Sequence, residues 1–336
     1  MKKLLRRILS PVLGQPVPAL SREAVRWGYR LFLDRDPETE AVLDDKARRL
    51  GTIRELRQEL LESDEFRYNN PAIGALSMTG HEPPLDIERV DSDEDMTRLF
   101  DHVQKTWRHF GETEAYWSVL TAPQFLEARF EEKKDVFFQS GEKEVERLFD
   151  TLRRNDLDAS ALETCLEYGC GVGRVTLWLA KRFAAVHGYD ISAPHLSKAR
   201  SFVTESGLDH VQLHHLERLE DLDRLPTVDV VYCFIVLQHN PPPVTAFVLR
   251  RLLRALRPGG VAFFQVPTYQ RDYSFRVADY LARTAEPEIE MHVLPQREVF
   301  RIVDEEGCRP VEMFADGKGG TAGPEHSHTF LVRKER

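Results

Sequence analysis

The period of the hydrophobic positions changes near residue 164, and that change divides the chain. From Thr164 onward short β-rich runs alternate with helical runs, the signature of βαβ units and a mostly parallel sheet. The pattern predicts strands at Thr164–Tyr168, Ala184–Tyr189, Val211–His215, Val228–Ile235 and Val261–Val266. Helices are expected between them at Arg174–Phe183, Pro194–Ser206 and Thr245–Leu256. An irregular aromatic stretch then leads to a helix at Gln296–Glu306 and strands at Pro310–Phe314 and Thr329–Arg333. The glycine-rich run Gly317–Gly323 is long enough to turn a hairpin, so the sheet is expected to end antiparallel.

Before residue 164 the period is helical. One helix should start at Ser21 to Ala24 and run through Leu33, where Asp34-Arg35-Asp36-Pro37 breaks it. A second should run from Glu38 to Leu50 and stop at Gly51. A third should run from Thr52 to Phe66, with Thr52 and Glu55 as a capping box. Turn and solvent signals fill the next stretch, with Pro71, Gly74, Gly80, Pro83-Pro84 and the acidic run Asp91 to Asp95. From Met96 to Leu152 the pattern is helical again and rich in aromatics, and no internal repeat is visible. The division is therefore a segment 1–20, a helical module 21–70, a linker 71–95 and an α/β domain 96–336, whose helical cap 96–160 precedes its core 161–336.

Composition narrows the function classes. At 336 residues, with 42% hydrophobic and 30% charged positions, the chain has the make-up of a globular protein. No apolar run approaches the ~18 residues of a membrane span. A net charge of -9 with no large basic block argues against gripping nucleic acid through phosphates. Cys165, Cys170, Cys233 and Cys308 form neither a zinc spacing nor a disulfide framework, so no metal is expected and the setting is read as reducing and cytoplasmic. Residues 1–13, MKKLLRRILSPVL, alternate basic and apolar pairs. They are read either as an in-plane contact with an anionic inner membrane leaflet or as a frayed terminus.

The sharpest chemical signal is Leu166-Glu167-Tyr168-Gly169-Cys170-Gly171-Val172-Gly173-Arg174, which leaves a strand and enters a helix. Glycines there let backbone approach a ligand, and a following helix points free N–H groups at it. Asp190 ends the next strand, where a carboxylate can accept both hydroxyls of a ribose. Together these predict a nucleoside cofactor. The dinucleotide pattern would need glycine at position 174, which is Arg174.

On these residues the chain resembles the class I S-adenosylmethionine-dependent methyltransferases, over about Glu163 to the C-terminus. The strand ending Asp229 to Phe234 and the run Arg257-Pro258-Gly259-Gly260 add to the likeness. The resemblance implies a doubly wound, seven-stranded Rossmann-like sheet, mostly parallel with an antiparallel last strand, preceded by a small all-α module. By the same resemblance Gly169, Gly171 and Gly173 face the methionine part of the cofactor, with Tyr168, Cys170 and Arg174 in the same loop. Glu167 orients that part, Asp190 holds the ribose, and the adenine lies near Ile191, Leu216 and Glu217. Phe234 and Gln238 reach the site from the fourth strand. Separately, Tyr29 to Glu38 with Ser63 to Phe66 resembles a bacterial helical module of unassigned function, found in surface, phycobilisome-linker-like and glycan-assembly proteins; its usual Gly after Pro-Glu is absent here. Such a module would bind a protein partner.

Methyl transfer asks a protein to align a nucleophile and exclude water, and a base helps when the nucleophile is a hydroxyl. His239, after the fourth strand, is one candidate base, or else packs against the methionine end; His292 is the other candidate. Tyr116, Trp117, Tyr269 and Arg271 are expected to line a substrate lid. Asn240-Pro241-Pro242-Pro243 reads as the start of a helix rather than as a base-amino methyltransferase signature. The expected reaction is methylation of an oxygen, of a sugar in glycan assembly or of a small metabolite. The alternatives are a cofactor-binding scaffold without turnover and a nicotinamide-dependent oxidoreductase.

Overall fold

The computed structural model describes residues 20–61, 63, 65–66, 81–90, 92–283, 286–318 and 325–335. The basic start at 1–13, much of the expected linker and most of the Gly317–Gly323 run lie outside the described residues. The chain separates into two compact units, with described residues 20–66 in the first and 81–335 in the second.

The first unit is three helices: α1 (Arg22–Leu33), α2 (Glu40–Arg49) and α3 (Ile53–Leu61). Their boundaries follow local chemistry. Ser21 Oγ accepts from Ala24 N at 3.1 Å, and Asp34 ends α1 in the left-handed region at φ 56. Thr39 rather than Glu38 opens α2, because its hydroxyl accepts from Val42 N at 3.3 Å. At α3 the capping box is complete: Glu55 N donates to Thr52 Oγ1 at 3.2 Å and Thr52 N donates to Glu55 Oε2 at 3.0 Å. Val25, Tyr29, Leu43, Leu56 and Leu60 bury against one another. A Cβ at Gly28 would stand 2.9 Å from Leu60 Cδ1, so α1 and α3 cross at glycine distance.

The second unit opens with α4 (Asp93–Thr113), α5 (Ala115–Val119) and α6 (Lys134–Arg154). Ser92 caps α4, and Asp93, Glu94 and Asp95 in its first turn suit the positive end of the helix dipole. Seven strands follow: β1 (Thr164–Tyr168), β2 (Ala185–Asp190), β3 (Val211–His215), β4 (Val228–Cys233), β5 (Leu256–Gln270), β6 (Cys308–Ala315) and β7 (Glu325–Lys334). They form one sheet in the order β3-β2-β1-β4-β5-β7-β6. The first five are parallel, and β7 enters antiparallel between β5 and β6. This is the doubly wound architecture with an antiparallel last strand. Helices α7 (Thr176–Leu179), α8 (Ala193–Glu205), α9 (Pro242–Arg254), α10 (Val277–Leu281) and α11 (Gln296–Glu305) connect the strands.

The core is two-sided. One face buries Leu99 and Phe100 of α4, Val248 and Leu252 of α9 and Ile302 of α11. The other buries Leu148 and Leu152 of α6 with Leu179, Val203 and Phe263. Asp229 ties the strand starts together: Glu163 N and Thr164 N both donate to its Oδ2, at 2.9 and 2.8 Å, and Arg257 pairs with it.

Three elements differ from the pattern expected of them. The helix expected at Arg174–Phe183 contracts to α7, because i→i+3 bonds tighten both ends, from Trp178 N to Val175 O and from Arg182 N to Leu179 O. The strand expected at Val261–Val266 runs from Leu256 to Gln270, because β7 pairs along it from Val261 to Gln270. The arginines of α9, which the linear pattern pairs with nothing, are ion-paired: Arg250 with Glu305 at 2.6 Å, Arg251 with Asp223 at 2.8 Å and Arg254 with Glu306 at 2.7 Å.

Candidate active site

The strand order reverses beside β1, which is where an open α/β sheet leaves a crevice. A cavity of about 380 Å³ lies there, at the carboxyl ends of β1, β2 and β4. Its wall begins with the loop after β1. Gly169 sits at φ 76, and a Cβ on it would lie 2.4 Å from Val236 Cγ2. Glycine is needed there to let the β1 and β4 loops meet. Gly171, at φ 54, donates its N–H to Asp190 Oδ2 at 2.8 Å. Asp190 also accepts from Ser192 N at 2.8 Å through Oδ1. One carboxylate thus organises the two loops and keeps lone pairs for a ligand hydroxyl.

Beneath the loop, Glu167 is buried and accepts from Thr176 Oγ1 at 2.6 Å. Burial pushes its pKa up to about 7. Arg174 donates from Nη1 to Ser140 Oγ at 3.0 Å, and burial lowers its pKa. Its Nε has no partner among the described residues. Cys170 lines the cavity, but burial holds its thiol well above the ordinary range, so it is no thiolate nucleophile.

His239 stands on the opposite wall in a short helical turn, Leu237–His239. Its Nδ1 lies 2.9 Å from the backbone carbonyl of Glu290. A carbonyl only accepts, so Nδ1 carries the proton and the Nε2 lone pair accepts, at a long 3.4 Å, from Gln238 Nε2. Burial pushes its pKa down to about 4, so the ring is neutral at physiological pH. The Trp107 ring lies 5.2 Å from it, centroid to centroid.

The segment carrying Glu290 is clamped from behind. His292 N donates to Gln238 O at 2.7 Å. The His292 ring bridges Tyr273 Oη at 2.8 Å and Glu290 Oε2 at 3.3 Å, and Tyr280 Oη donates to the same carboxylate oxygen at 2.5 Å.

Most of the residues expected to hold the cofactor meet around this cavity: Glu167, Tyr168, Gly169, Cys170, Gly171 and Arg174 from the first loop, then Asp190, Ile191, Phe234 and Gln238. Gly173 shapes the turn without lining it. Leu216 and Glu217 do not line it, although Leu216 N donates to Asp190 O at 2.9 Å; Gln104 Nε2 donates to the Leu216 carbonyl at 2.9 Å. Of the two candidate bases only His239 faces the cavity; His292 lies one layer behind it. The expected lid residues lie elsewhere. Tyr116 is stacked on Phe130 at 3.3 Å, and Trp117 packs near Phe110. Tyr269 is buried and donates to Pro83 O at 3.3 Å, while Arg271 is exposed. Apolar packing within the cap and between β5 and β7 claims the aromatic rings first.

Several wall residues went unread in the sequence. Trp107, Ser118, Ile289, Met291 and Lys318 come from segments distant along the chain. His195 is the one with a local signal, standing three residues beyond Ser192 at the start of α8. It joins Ser192 Oγ at 2.7 Å and Ser118 Oγ at 2.9 Å, and so pins α5 to α8. Asn240 also lines the cavity, while Pro241 and Pro242 open α9 as expected. Ile235 takes φ 57, a strained conformation for a β-branched residue, at the cavity wall.

Residues 165–260 match the family described as methyltransferase domain. This part of the chain is similar to a methyltransferase domain. The methyltransferase GfsG of Streptomyces halstedii is 32% identical over 133 residues, which cover 38% of this chain and 44% of that protein. A ubiquinone biosynthesis O-methyltransferase of Idiomarina loihiensis is 35% identical over 112 residues, covering 33% and 44%. The chain spans about half the length of the curated relatives it matches. Among solved structures, magnesium protoporphyrin IX methyltransferase from Synechocystis with bound S-adenosylmethionine aligns at TM-score 0.48 and 16% identity, over 73% of this chain and 100% of that one.

The residues present fit S-adenosylmethionine, the cofactor expected from the sequence. The glycine loop leaves room for a close backbone approach, Asp190 faces the cavity, and the unpartnered Arg174 Nε awaits an acceptor. Among the described residues no cluster of three or more His, Cys, Asp and Glu could hold a metal ion. No helix among them is long and apolar enough to cross a membrane.

Proposed function

We propose that the chain transfers a methyl group from S-adenosylmethionine to a hydroxyl oxygen of a small metabolite, with His239 as the base. The observation that carries this reading is the tautomer of His239. Its Nδ1–H is committed to the Glu290 carbonyl at 2.9 Å, so Nε2 is an acceptor, approached only by Gln238 Nε2 at a long 3.4 Å among the described residues, on a residue that lines the same cavity as the glycine loop and Asp190. The cofactor supplies an electrophilic methyl group on a sulfonium. When bound it would give up that methyl to the acceptor oxygen and keep the C–S electron pair on sulfur, and the role of His239 Nε2 would be to take the proton of the acceptor hydroxyl. With a pKa near 4 the base is weak but never charged in advance, which suits proton removal during methyl transfer rather than before it. Trp107, Val236, Ile289 and Met291 supply apolar walls that exclude water. The O-methyltransferase names among the curated relatives support an oxygen acceptor.

A sugar acceptor in glycan assembly is the second reading. It drew on Tyr116, Trp117, Tyr269 and Arg271, and their positions away from the cavity favour the small metabolite. A nicotinamide reaction is disfavoured by Arg174 in place of the third glycine. The net charge of -9 disfavours nucleic acid as acceptor. The exposed Trp27 and Leu31 on α1 support a protein partner for the helical unit. The basic pairs of residues 1–13 support a cytoplasmic enzyme that touches the inner membrane peripherally.

The test has two stages. Calorimetric titration with S-adenosylhomocysteine, with NADH as control, should show binding only to the former. Labelled S-adenosylmethionine is then offered with small hydroxylated metabolites, free sugars and lipid-linked sugars. Methyl transfer confined to the sugars would overturn the small-metabolite reading. Tight cofactor binding with no transfer to any acceptor would favour the scaffold.

A further inference from the structure

Gln238, Gln265 and Ser327 form a buried polar chain that ends on His239. Gln265, on β5, donates from Nε2 to Gln238 Oε1 at 2.9 Å and to Ser327 Oγ, on β7, at 2.7 Å. Gln238 Nε2 then stands 3.4 Å from His239 Nε2. Gln238 and His239 line the cavity, whereas Gln265 and Ser327 do not.

A carboxamide can be turned two ways, and only its partners decide which end is nitrogen. Here the decision starts at the Glu290 carbonyl. It takes the Nδ1–H of His239 at 2.9 Å, so Nε2 carries a lone pair. A carboxamide oxygen there would set lone pair against lone pair, so the N–H end of Gln238 faces the ring. Gln238 Oε1 must then meet a donor, which is the N–H end of Gln265. Among the described residues no donor reaches Gln265 Oε1, so nothing favours the reverse arrangement. The bonds therefore run one way, from Gln265 through Gln238 and His239 to Glu290. A second proton on His239, at Nε2, would face the N–H of Gln238, donor against donor. Relief would require Gln238 and Gln265 to turn over together in a close-packed interior. At 3.4 Å the contact opposes a proton on Nε2 without using up its lone pair in a strong bond.

We propose that Gln265, anchored by Ser327, is a positioning residue that fixes the Gln238 carboxamide with its N–H toward His239 and so holds the base unprotonated until a substrate hydroxyl gives up its proton. The proposal rests on the reading of His239 as base, and it gives Gln238 a task toward that base rather than toward the cofactor. Other groups surround the ring. His292 and the Glu290 carboxylate, 3.3 Å apart, stand behind it. The cavity wall carries Asp190, Glu167, Glu144, Arg174, Lys318 and His195, while Tyr168, Cys170 and Tyr232 are kept neutral there by burial. Among the described residues none of these side chains bonds the His239 ring, and all are shared by the wild type and the variants below.

The test is NMR of protein labelled with nitrogen-15 in its histidine rings, titrated downward from pH 8, with His239 assigned through His239→Gln. The wild-type ring should hold its proton on Nδ1 and stay neutral to about pH 5. In Gln265→Leu the Gln238 carboxamide is free to turn its oxygen to Nε2–H, and the His239 midpoint should rise by about one pH unit. Ser327→Ala, which removes only the anchor, should give a smaller rise. His187 and His214, on β2 and β3, should titrate as in the wild type. Should Gln265→Leu fail to fold, Gln238→Met, which removes the opposing N–H, gives the same comparison. An unmoved His239 midpoint in the folded variants, an equal shift of His187 and His214, or a wild-type ring protonated on Nε2 instead of Nδ1 would overturn the proposal. Failure of the base reading is distinct from this: a raised midpoint beside an unchanged kcat in His239→Ala would keep the positioning by Gln265 and remove the base.

Discussion

His239 donates its Nδ1–H to the backbone carbonyl of Glu290 at 2.9 Å, and that single bond fixes the tautomer, leaving Nε2 as the acceptor. His239→Ala should therefore lower kcat by about 10²–10⁴-fold, the range for loss of a positioned base. Affinity for S-adenosylhomocysteine should stay within a few-fold. Steady-state kinetics beside calorimetry separates the two, and an unchanged kcat would remove His239 from the chemistry.

The same residue sets an acid limit. Its folded pKa, near 4, lies below its ordinary 6.5. Its neutral form is favoured on folding, so its contribution is present above pH 6.5 and is lost as pH falls through 4. Thermal unfolding followed from pH 7 to 4 should show Tm falling over this window. His239→Gln, with no proton to bind there, should lose less. Equal slopes in the two proteins would contradict the assignment.

Glu167 runs the other way. Its folded pKa, near 7, lies above its ordinary 4.5. Its contribution is fully present below pH 4.5 and is lost as pH rises through 7. Glu167→Gln should thus gain on the wild type at pH 8 relative to pH 4.5. Denaturant midpoints at the two pH values provide the check, and a difference that does not vary with pH would place Glu167 in a more solvated setting than found here.

His292 lies behind the cavity and should act through Glu290. His292→Phe breaks the bridge between Tyr273 and Glu290 that holds the segment carrying the Glu290 carbonyl. The expected result is a lower kcat with little change in cofactor affinity, since His292 does not itself line the cavity. A loss of cofactor affinity equal to the loss of kcat would show a wider structural role.

Gly111 on α4 packs against the start of α8. A Cβ there would stand 2.7 Å from both His195 Nδ1 and Ser192 Oγ. Both neighbours are buried, and Ser192 N holds Asp190. Gly111→Ala should cost about 1–3 kcal/mol of stability through overpacking and weaken S-adenosylhomocysteine as Asp190 shifts. Chemical denaturation and calorimetry would read both, and a variant as stable as wild type with intact affinity would refute the close packing.

Local rules made much of this protein legible in its sequence. The capping box of Thr52 and Glu55, the helix start at Pro242 and the strand-turn-helix around Gly169 and Gly171 depend on neighbours within a few residues. So did the change of period at Thr164 that announced a parallel sheet. Asp190 was readable because a strand end beside a glycine loop is itself a short-range pattern. What surrounds those residues was decided by tertiary structure. Whether Tyr116 and Tyr269 turn to the cavity or into packing depends on Phe130 and Pro83, which the linear pattern does not place beside them. Choosing His239 over His292 required the fold to bring Glu290 to one and Tyr273 to the other. A side chain's role is set by desolvation and by partners dozens to hundreds of residues away. The sequence by itself therefore determined the strand-turn-helix frame and the loop that lines the cavity, and only the tertiary structure decided the walls around it.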